Sequence, residues 1–98
     1  MVIIYGYIEL LLPHCSSLKE KRKIIQSIIS RIRKRFNISI SEIKYHDLWQ
    51  RTIIGFTAIG SNKTKLELFS KAIEETLDKY HSDVEIMEFY HDIISQKI

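Results

Sequence analysis

The chain has 98 residues, of which 45% are hydrophobic and 28% are charged, and its formal net charge is +3. This length supports one modest hydrophobic core, and the composition is too apolar for a wholly disordered chain. A single cysteine excludes a disulfide framework and a four-cysteine zinc site, and no apolar run approaches the ~20 residues of a membrane span. We therefore expect a single domain over residues 1–98, located in the cytoplasm, with neither a signal peptide nor a membrane segment.

The first third of the sequence predicts a strand followed by a helix. Residues 2–12 carry apolar side chains at every second position, which is typical of a strand with one buried face. Ser17 followed three residues later by Glu20 forms a capping box, so a helix should begin there and run to about Phe36. Asn37 suits the left-handed position that ends many helices. The residues expected to face the core from this helix are Leu18, Ile25, Ile29, Ile32 and Phe36.

The remaining sequence predicts two strands, a helix and a last strand. Residues 38–45 begin as a strand whose alternation slips within Ile40–Ile43, so a bulge is expected there. A third strand should span residues 50–60, and a second helix should begin within residues 61–64. Spacings of three and four residues predict its buried face, which consists of Leu66, Phe69, Ile73, Leu77 and Tyr80. The final strand should run from residue 83 to about residue 94.

The resulting order of elements, βαββαβ, predicts an α+β fold. With right-handed crossovers it folds into a ferredoxin-like sandwich, in which an antiparallel four-stranded sheet carries both helices on one face.

The sheet face without helices should be apolar. The outward positions of the first strand are Ile3, Tyr5, Tyr7, Glu9 and Leu11. Since monomers rarely leave an apolar patch of several hundred Å² bare, we expect this face to bind a ligand or, more simply, to join two copies into a homodimer. The residues expected to bind a partner are Tyr5, Tyr7, Trp49 and Phe89.

Some of the aromatic residues have alternative interpretations. Tyr5 and Phe56 lie in the strands that stack bases in RNA-recognition motifs, although Ile54 stands where that motif has Lys or Arg. Trp49, between the second and third strands, is either an exposed contact residue or a ring that seals the end of the core. The sealing role is the simpler interpretation.

Positive charge is concentrated in the first half of the chain. Residues 1–52 carry ten Lys and Arg against four Asp and Glu, whereas residues 53–98 carry five against eight. Within residues 19–35, eight basic residues accompany one acid, Glu20. Such a local patch is the usual footprint of a polyanion partner, although a solvated helix face is the commoner explanation. The residues predicted to bind nucleic acid are Lys19, Lys21, Arg22, Lys23, Arg31, Lys34, Arg35, Lys44 and Arg51.

For Lys21 and Arg22 a structural role is equally plausible. Basic residues in the first turn oppose the positive end of the helix dipole, so something must offset them. That compensation is either a bound anion or ion pairing with Glu42 or Asp47 across the fold.

Residues able to carry chemistry are few. None of the four histidines has metal-ligand spacing with another, and no glycine-rich phosphate loop is present. His14 and Cys15 are adjacent, but a lone cysteine is far more often inert than catalytic. We therefore expect no catalytic residue, no metal and no cofactor, and a protein that is not an enzyme.

Two motifs together carry a family resemblance. The run Ser17–Arg22 (SLKEKR) and the run Asp47–Arg51 (DLWQR), joined by Phe36–Ser39, Glu42 and Gly55, resemble the YlxP-like bacterial proteins, a family of unknown function. The resemblance spans the full chain and implies a small cytoplasmic ferredoxin-like protein with a role around the ribosome. The expected function is therefore a non-enzymatic protein that binds RNA, such as ribosomal RNA, or a ribosomal subunit in ribosome maturation or translation. The alternative is a homodimeric scaffold or protein-interaction module that uses the apolar sheet face.

Overall fold

The computed structural model describes residues 1–98 and contains the predicted elements in the predicted order. These are strand β1 (Val2–Leu11), helix α1 (Leu18–Arg35), strands β2 (Ser39–Lys44) and β3 (Arg51–Gly60), helix α2 (Lys63–Asp78) and strand β4 (Glu85–Ser95). Neither helix has the length and apolarity that crossing a membrane requires.

The four strands form one antiparallel sheet in the order β2-β3-β1-β4. Both helices pack on one face of this sheet, so the predicted ferredoxin-like sandwich is confirmed. The two edge strands are β2 and β4. Strand β4 is the more exposed of the two, because none of its residues is buried and only Phe89 and Ile93 are half-buried.

The hydrophobic core lies between the sheet and the helices. Alternate residues of β1, beginning at Val2, point into it, as the period-two pattern predicts. In α1 the buried positions are Lys21, Ile25, Ile28, Ile29 and Ile32, and in α2 they are Leu66, Phe69, Ile73, Thr76 and Leu77. The predicted stripes are thus confirmed in their centres, while their ends, Leu18, Phe36 and Tyr80, are only half-buried.

Helix α1 begins with a modified capping box. The Ser17 hydroxyl accepts a hydrogen bond from the Glu20 backbone N–H at 3.1 Å, as predicted. The Glu20 carboxylate, however, accepts from the backbone N–H and the hydroxyl of Ser16, at 3.1 and 2.9 Å, and not from the Ser17 N–H. The reciprocal half of the motif has therefore moved one residue towards the N-terminus.

The prediction that α1 ends with Asn37 in the left-handed conformation is wrong. Phe36 leaves the helix in an extended conformation, and Tyr45 is the one non-glycine residue with a positive φ, at 67°. The chain must enter β2 at Ser39, and the Phe36 ring packs edge-on against Phe69 with centroids 4.6 Å apart. This contact favours a direct extended exit over a reversing turn at Asn37.

The predicted bulge in β2 is confirmed. The register with β3 shifts between Glu42 and Lys44, so Ile43 is the extra residue. The Ile43 side chain lies over Gly55, where an added Cβ would sit 3.0 Å from Ile43 Cγ2. Gly55 therefore allows the bulged side chain to approach the backbone of β3 closely.

Candidate nucleic-acid interface

The outer surface of α1 carries seven exposed basic residues. They are Lys19, Arg22, Lys23, Arg31, Arg33, Lys34 and Arg35. The three ion pairs of the protein are Lys21–Glu42, Arg51–Glu9 and Lys63–Glu67, so none of the seven has a carboxylate within 4.0 Å. Their charges are therefore uncompensated by the fold.

These seven cations are unevenly placed around and along α1. At 100° per residue, Lys19, Lys23 and Lys34 point away from the core, and Arg22 and Arg33 lie on the side of β2. The middle of the same surface is uncharged and polar, consisting of Gln26, Ser27 and Ser30. The surface therefore has a basic group at each end and a neutral centre.

Two of the cations rest on aromatic rings at the other flank of the helix. The Arg31 guanidinium lies 5.5 Å from the centroid of Tyr80, whose hydroxyl is 2.8 Å from that of Ser27. The Arg35 guanidinium lies 5.3 Å from the centroid of Phe36. Both side chains are thus held near the surface while their charges stay exposed.

Arg33 was missing from the residues predicted to bind nucleic acid. It is exposed and donates a hydrogen bond to the Ile40 carbonyl at 2.9 Å, on the outer side of the edge strand β2. With Arg22, Gln26 and Ser41 it lines a groove between α1 and β2. Its place in the basic run of residues 31–35 was the signal that could have identified it.

The prediction that Lys21 contacts nucleic acid is wrong. Its side chain is 1% exposed, and Nζ lies 2.9 Å from Glu42 Oε2 and donates to the Tyr45 carbonyl at 2.6 Å. The same Glu42 oxygen accepts a 2.5 Å hydrogen bond from the Thr52 hydroxyl. The structure thus supports the ion-pair alternative for Lys21, which joins α1 to β2, β3 and their connection, and leaves Arg22 free.

Lys44 and Arg51 do not extend the α1 surface. Lys44 pairs with Ile53 and Arg51 with Leu11, which places both on the sheet face opposite the helices. Both cations flank the Tyr45 ring, with Lys44 Nζ 5.1 Å and Arg51 Cζ 4.2 Å from its centroid. The bulge at Ile43 sets the phase of Lys44, and pairing with β1 sets that of Arg51, so the predicted patch is split between two faces.

Glu9 compensates the charge of Arg51. The guanidinium Nε lies 2.5 Å from Glu9 Oε2, and this hydrogen bond raises the pKa of Arg51. The positive charge of Arg51 is therefore already paired, and Arg51 should attract a polyanion less strongly than the unpaired cations of α1.

The open sheet face contains the predicted Tyr5 and Tyr7, together with Tyr90 from β4. The ring centroids of Tyr5 and Tyr7 lie 6.4 and 5.5 Å from that of Tyr90. The Tyr7 hydroxyl donates to Glu88 at 2.8 Å, which raises the pKa of Tyr7. A hydrogen bond to Tyr90 likewise raises the pKa of Tyr5.

Phe89 and Phe56 lie on the opposite side of the sheet from the tyrosines. Phe89 pairs with the buried Ile8 and contacts Phe56 with centroids 6.0 Å apart, on the helix side. The prediction that Phe89 binds a partner across the open face is therefore wrong, as is base stacking on the buried Phe56. In β4 both phases are apolar, so only strand pairing decides which face each residue takes.

Trp49 does not seal the core. It is 51% exposed, beside the equally accessible Leu48, in the β2–β3 connection. Gln50 anchors this connection by donating to the carbonyl of Cys15 at 3.2 Å, and its own carbonyl accepts from the Leu12 N–H at 2.9 Å. The interpretation of Trp49 as an exposed contact residue is the one that its placement supports.

Cys15 lies in the core, where its thiol donates to the Ser17 carbonyl at 3.3 Å. Its neighbour His14 is exposed, and no group of three or more His, Cys, Asp or Glu is placed to hold a metal ion. The hydrogen-bond partner of the thiol is thus a backbone carbonyl and not the His14 imidazole.

Solved structures resemble this chain in fold alone. SnoaB, a cofactor-independent oxygenase from Streptomyces nogalater, superposes with a TM-score of 0.59 at 4% identity, covering 100% of this chain and 96% of that one. The de novo designed protein LFR1 1 with ferredoxin fold gives a TM-score of 0.58 at 12% identity, covering 98% and 88%.

Sequence comparison is more specific. The uncharacterized protein YlxP of Bacillus subtilis (strain 168) is 38% identical over 72 residues, which cover 74% of this chain and 78% of that protein. The family described as "Protein of unknown function (DUF503)" matches residues 3–91. The chain therefore belongs to the YlxP-like DUF503 family, whose function is unknown.

Proposed function

We propose that this protein is a non-enzymatic RNA-binding protein of the cytoplasm that contacts RNA phosphates through α1. The observation that carries the proposal is the set of seven exposed α1 cations without a carboxylate partner. Like charges crowded on one helix repel one another, and a polyanion relieves this repulsion while releasing its own counterions. Ribosomal RNA and the ribosomal subunits are the first ligands to test, because the family resemblance implies a role around the ribosome.

The N-terminal turn of α1 adds to this argument. Lys19, Arg22 and Lys23 lie close to the positive end of the helix dipole, where basic residues are disfavoured. Glu20 is the one acid of this turn, and it is hydrogen-bonded to Ser16. The unfavourable placement is offset when an anion binds over these residues.

The test is binding of the purified protein to ribosomal RNA and to each ribosomal subunit between roughly 50 and 200 mM salt. With about five phosphate contacts, affinity should fall about 250-fold over this range, because each contact contributes ~0.7–0.9 to the slope of log K against log salt. Affinity that does not change with salt would contradict the proposal.

A matched pair of variants locates the binding surface. Replacing Lys23, Arg31 and Lys34 by Glu should abolish binding, while far-UV circular dichroism stays unchanged because all three are exposed. The control variant reverses three exposed lysines on or just after α2, namely Lys65, Lys71 and Lys79, and changes the net charge equally. Equal loss in both variants would show a dependence on net charge alone and reject the α1 surface.

A second proposal concerns the open sheet face, which we infer to be a homodimer interface. Ile3 lies between Ile59 and Ile94 across three strands, and the outer two side chains are 62% and 49% exposed. Tyr5 lies beside this row between Thr57 and Asp92, and its ring centroid is 6.4 Å from that of Tyr90. A second copy is the favoured occupant, because a two-fold axis through the face buries both rows at once. The α1 surfaces would stay accessible, since they lie on the other side of the sheet.

Sedimentation velocity at micromolar concentration tests the interface. The wild type should sediment as a dimer, and Ile59→Glu should sediment as a monomer because it places a charge in the row. Leu68→Glu, an equal change at an exposed residue of α2 on the other side of the sheet, is the control. A monomeric wild type would reject this second proposal and leave the first intact.

A further inference from the structure

Resting on the proposed function, we infer that the RNA bound by α1 is double-stranded, with the helix lying across the minor groove of an A-form duplex. The juxtaposition that points to this ligand is a basic group at each end of α1 and a short-chain, uncharged centre between them. The two basic groups are Lys19, Arg22 and Lys23 at one end and Arg31, Arg33, Lys34 and Arg35 at the other.

The spacing of the charges fits two rows of phosphates better than one. Arg22 and Arg33 are eleven residues apart on the same side of α1, so they are separated by roughly 16 Å along the axis. A single strand following the helix would meet cations at every turn, whereas the two turns from residue 24 to residue 30 contain none. A duplex groove presents its phosphates in two rows with uncharged sugar and base edges between them, which matches this pattern.

The centre of the surface is chemically suited to the groove floor. Gln26, Ser27 and Ser30 both donate and accept hydrogen bonds, as the 2′-hydroxyl does. Their side chains are exposed and carry no charge. They can therefore face a row of 2′-hydroxyls without repulsion, which gives a means of telling RNA from DNA.

Groove depth favours the A-form minor groove over the B-form major groove. The minor groove of A-form RNA is wide and shallow, so serine side chains reach its surface. The major groove of B-form DNA admits a whole α-helix, and the commonest specific contact there is an Arg or Lys side chain on guanine, which the centre of α1 lacks. On α1 those long side chains stand at the ends.

Single-stranded RNA would need exposed rings for its bases, and this surface offers none. The two rings beside it, those of Tyr80 and Phe36, are half-buried and lie under Arg31 and Arg35. The exposed aromatic residues, Tyr5, Tyr90 and Trp49, lie on the open sheet face or in the β2–β3 connection. Base stacking therefore contributes little at α1, which favours a paired ligand.

The first experiment measures fluorescence anisotropy with three probes of equal length and mixed sequence: a 20-base-pair RNA duplex, the same duplex as DNA, and one RNA strand. At about 150 mM salt the RNA duplex should bind at least tenfold more tightly than either competitor. If the single strand binds as well as the duplex and the triple Glu variant abolishes both, the RNA-binding proposal stands and the duplex inference is overturned. If no RNA binds, the proposed function itself fails.

The second experiment asks whether both ends of α1 act together. Lys19→Gln with Lys23→Gln and Lys34→Gln with Arg35→Gln should each reduce the salt slope by about 1–2. An effect confined to one pair would show that α1 does not bridge two phosphate rows. Both double variants remove two exposed charges, so each is the control for the other.

The third experiment probes the centre. Ser30→Glu should weaken RNA duplex binding at least tenfold, whereas Ser82→Glu, the same change in an exposed turn outside α1, should not. Ser30→Ala should reduce affinity for the RNA duplex while leaving the weaker DNA binding unchanged. Equal effects of Ser30→Ala on RNA and DNA would overturn the assignment of this centre to 2′-hydroxyls.

Discussion

Replacing Lys21 by Met tests the buried ion pair most directly. The side chains of Lys21 and Glu42 are 1% and 19% exposed. Removing the ammonium leaves the Glu42 carboxylate with the Thr52 hydroxyl alone and the Tyr45 carbonyl without its 2.6 Å donor. Breaking a buried pair costs about 3–5 kcal/mol of unfolding free energy, and partial exposure of Glu42 puts Lys21→Met near the lower end, at about 3 kcal/mol.

Replacing Glu42 should lower the unfolding free energy more than replacing Lys21 does. In Glu42→Leu a fully buried ammonium keeps only the Tyr45 carbonyl, so the loss should be about 4–5 kcal/mol. The double variant, with Lys21→Met and Glu42→Leu together, buries no charge and should be less destabilised than either single variant. The ranking of the two single variants follows from the two exposures alone.

Urea unfolding followed by far-UV circular dichroism measures these differences at fixed protein concentration. A loss of about 3 kcal/mol corresponds to a fall in Tm of roughly 12–24 °C for a domain of this size. The control is Lys19→Met, an exposed lysine of the same helix, which should stay within about 0.5 kcal/mol of the wild type. A loss for Lys21→Met no larger than that of the control would contradict a stabilising buried ion pair. So would a loss for the double variant equal to the sum of the two single losses.

Three further predictions follow from close contacts on other elements. Gly6→Ala should lower the unfolding free energy by about 1–3 kcal/mol, because the added Cβ would overlap the Tyr90 carbonyl oxygen, which belongs to the backbone and cannot rotate away. Urea unfolding that gives the wild-type free energy would contradict this. The Tyr7 phenol should ionise at a higher pH than an ordinary tyrosine, because its hydrogen bond to Glu88 raises its pKa. The stability from this hydrogen bond is fully present below pH ~10 and is lost as pH rises through the raised pKa. In an ultraviolet titration, Glu88→Gln should lower that pKa. The Cys15 thiol should react with a thiol reagent only after unfolding, since it is buried, and rapid native labelling would show that the 13–17 loop opens.

Local sequence patterns predicted the elements well because their causes are local. Alternation along β1 reports burial of one strand face, and the Ser17 hydroxyl meets the Glu20 N–H within one turn of helix. The slip of apolar phase near Ile43 likewise marks the bulge directly. The same approach failed at Asn37, because contact between Phe36 and a residue of α2 decides how that helix ends.

The candidate site was predicted less completely, because strand phase and pairing partners are not local properties. Counting charges located the basic run, but it could not show that Lys21 is buried against Glu42. It also grouped Lys44 and Arg51 with α1, although a bulged residue in β2 and the pairing of β3 with β1 place them on the other face. Phe89 was misplaced for the same reason, since a shift of one residue exchanges the faces of a strand.

The sequence by itself determined the order of strands and helices, and hence the ferredoxin-like fold, because periodicity and capping act over a few residues. It also determined that positive charge gathers on α1. Only the tertiary structure decided which of those charges are free, because each ion pair that neutralises Lys21 or Arg51 joins residues far apart in the chain. A cation is available to a polyanion when the fold brings no carboxylate to it, and that depends on strand pairing and bulges that composition and spacing do not contain.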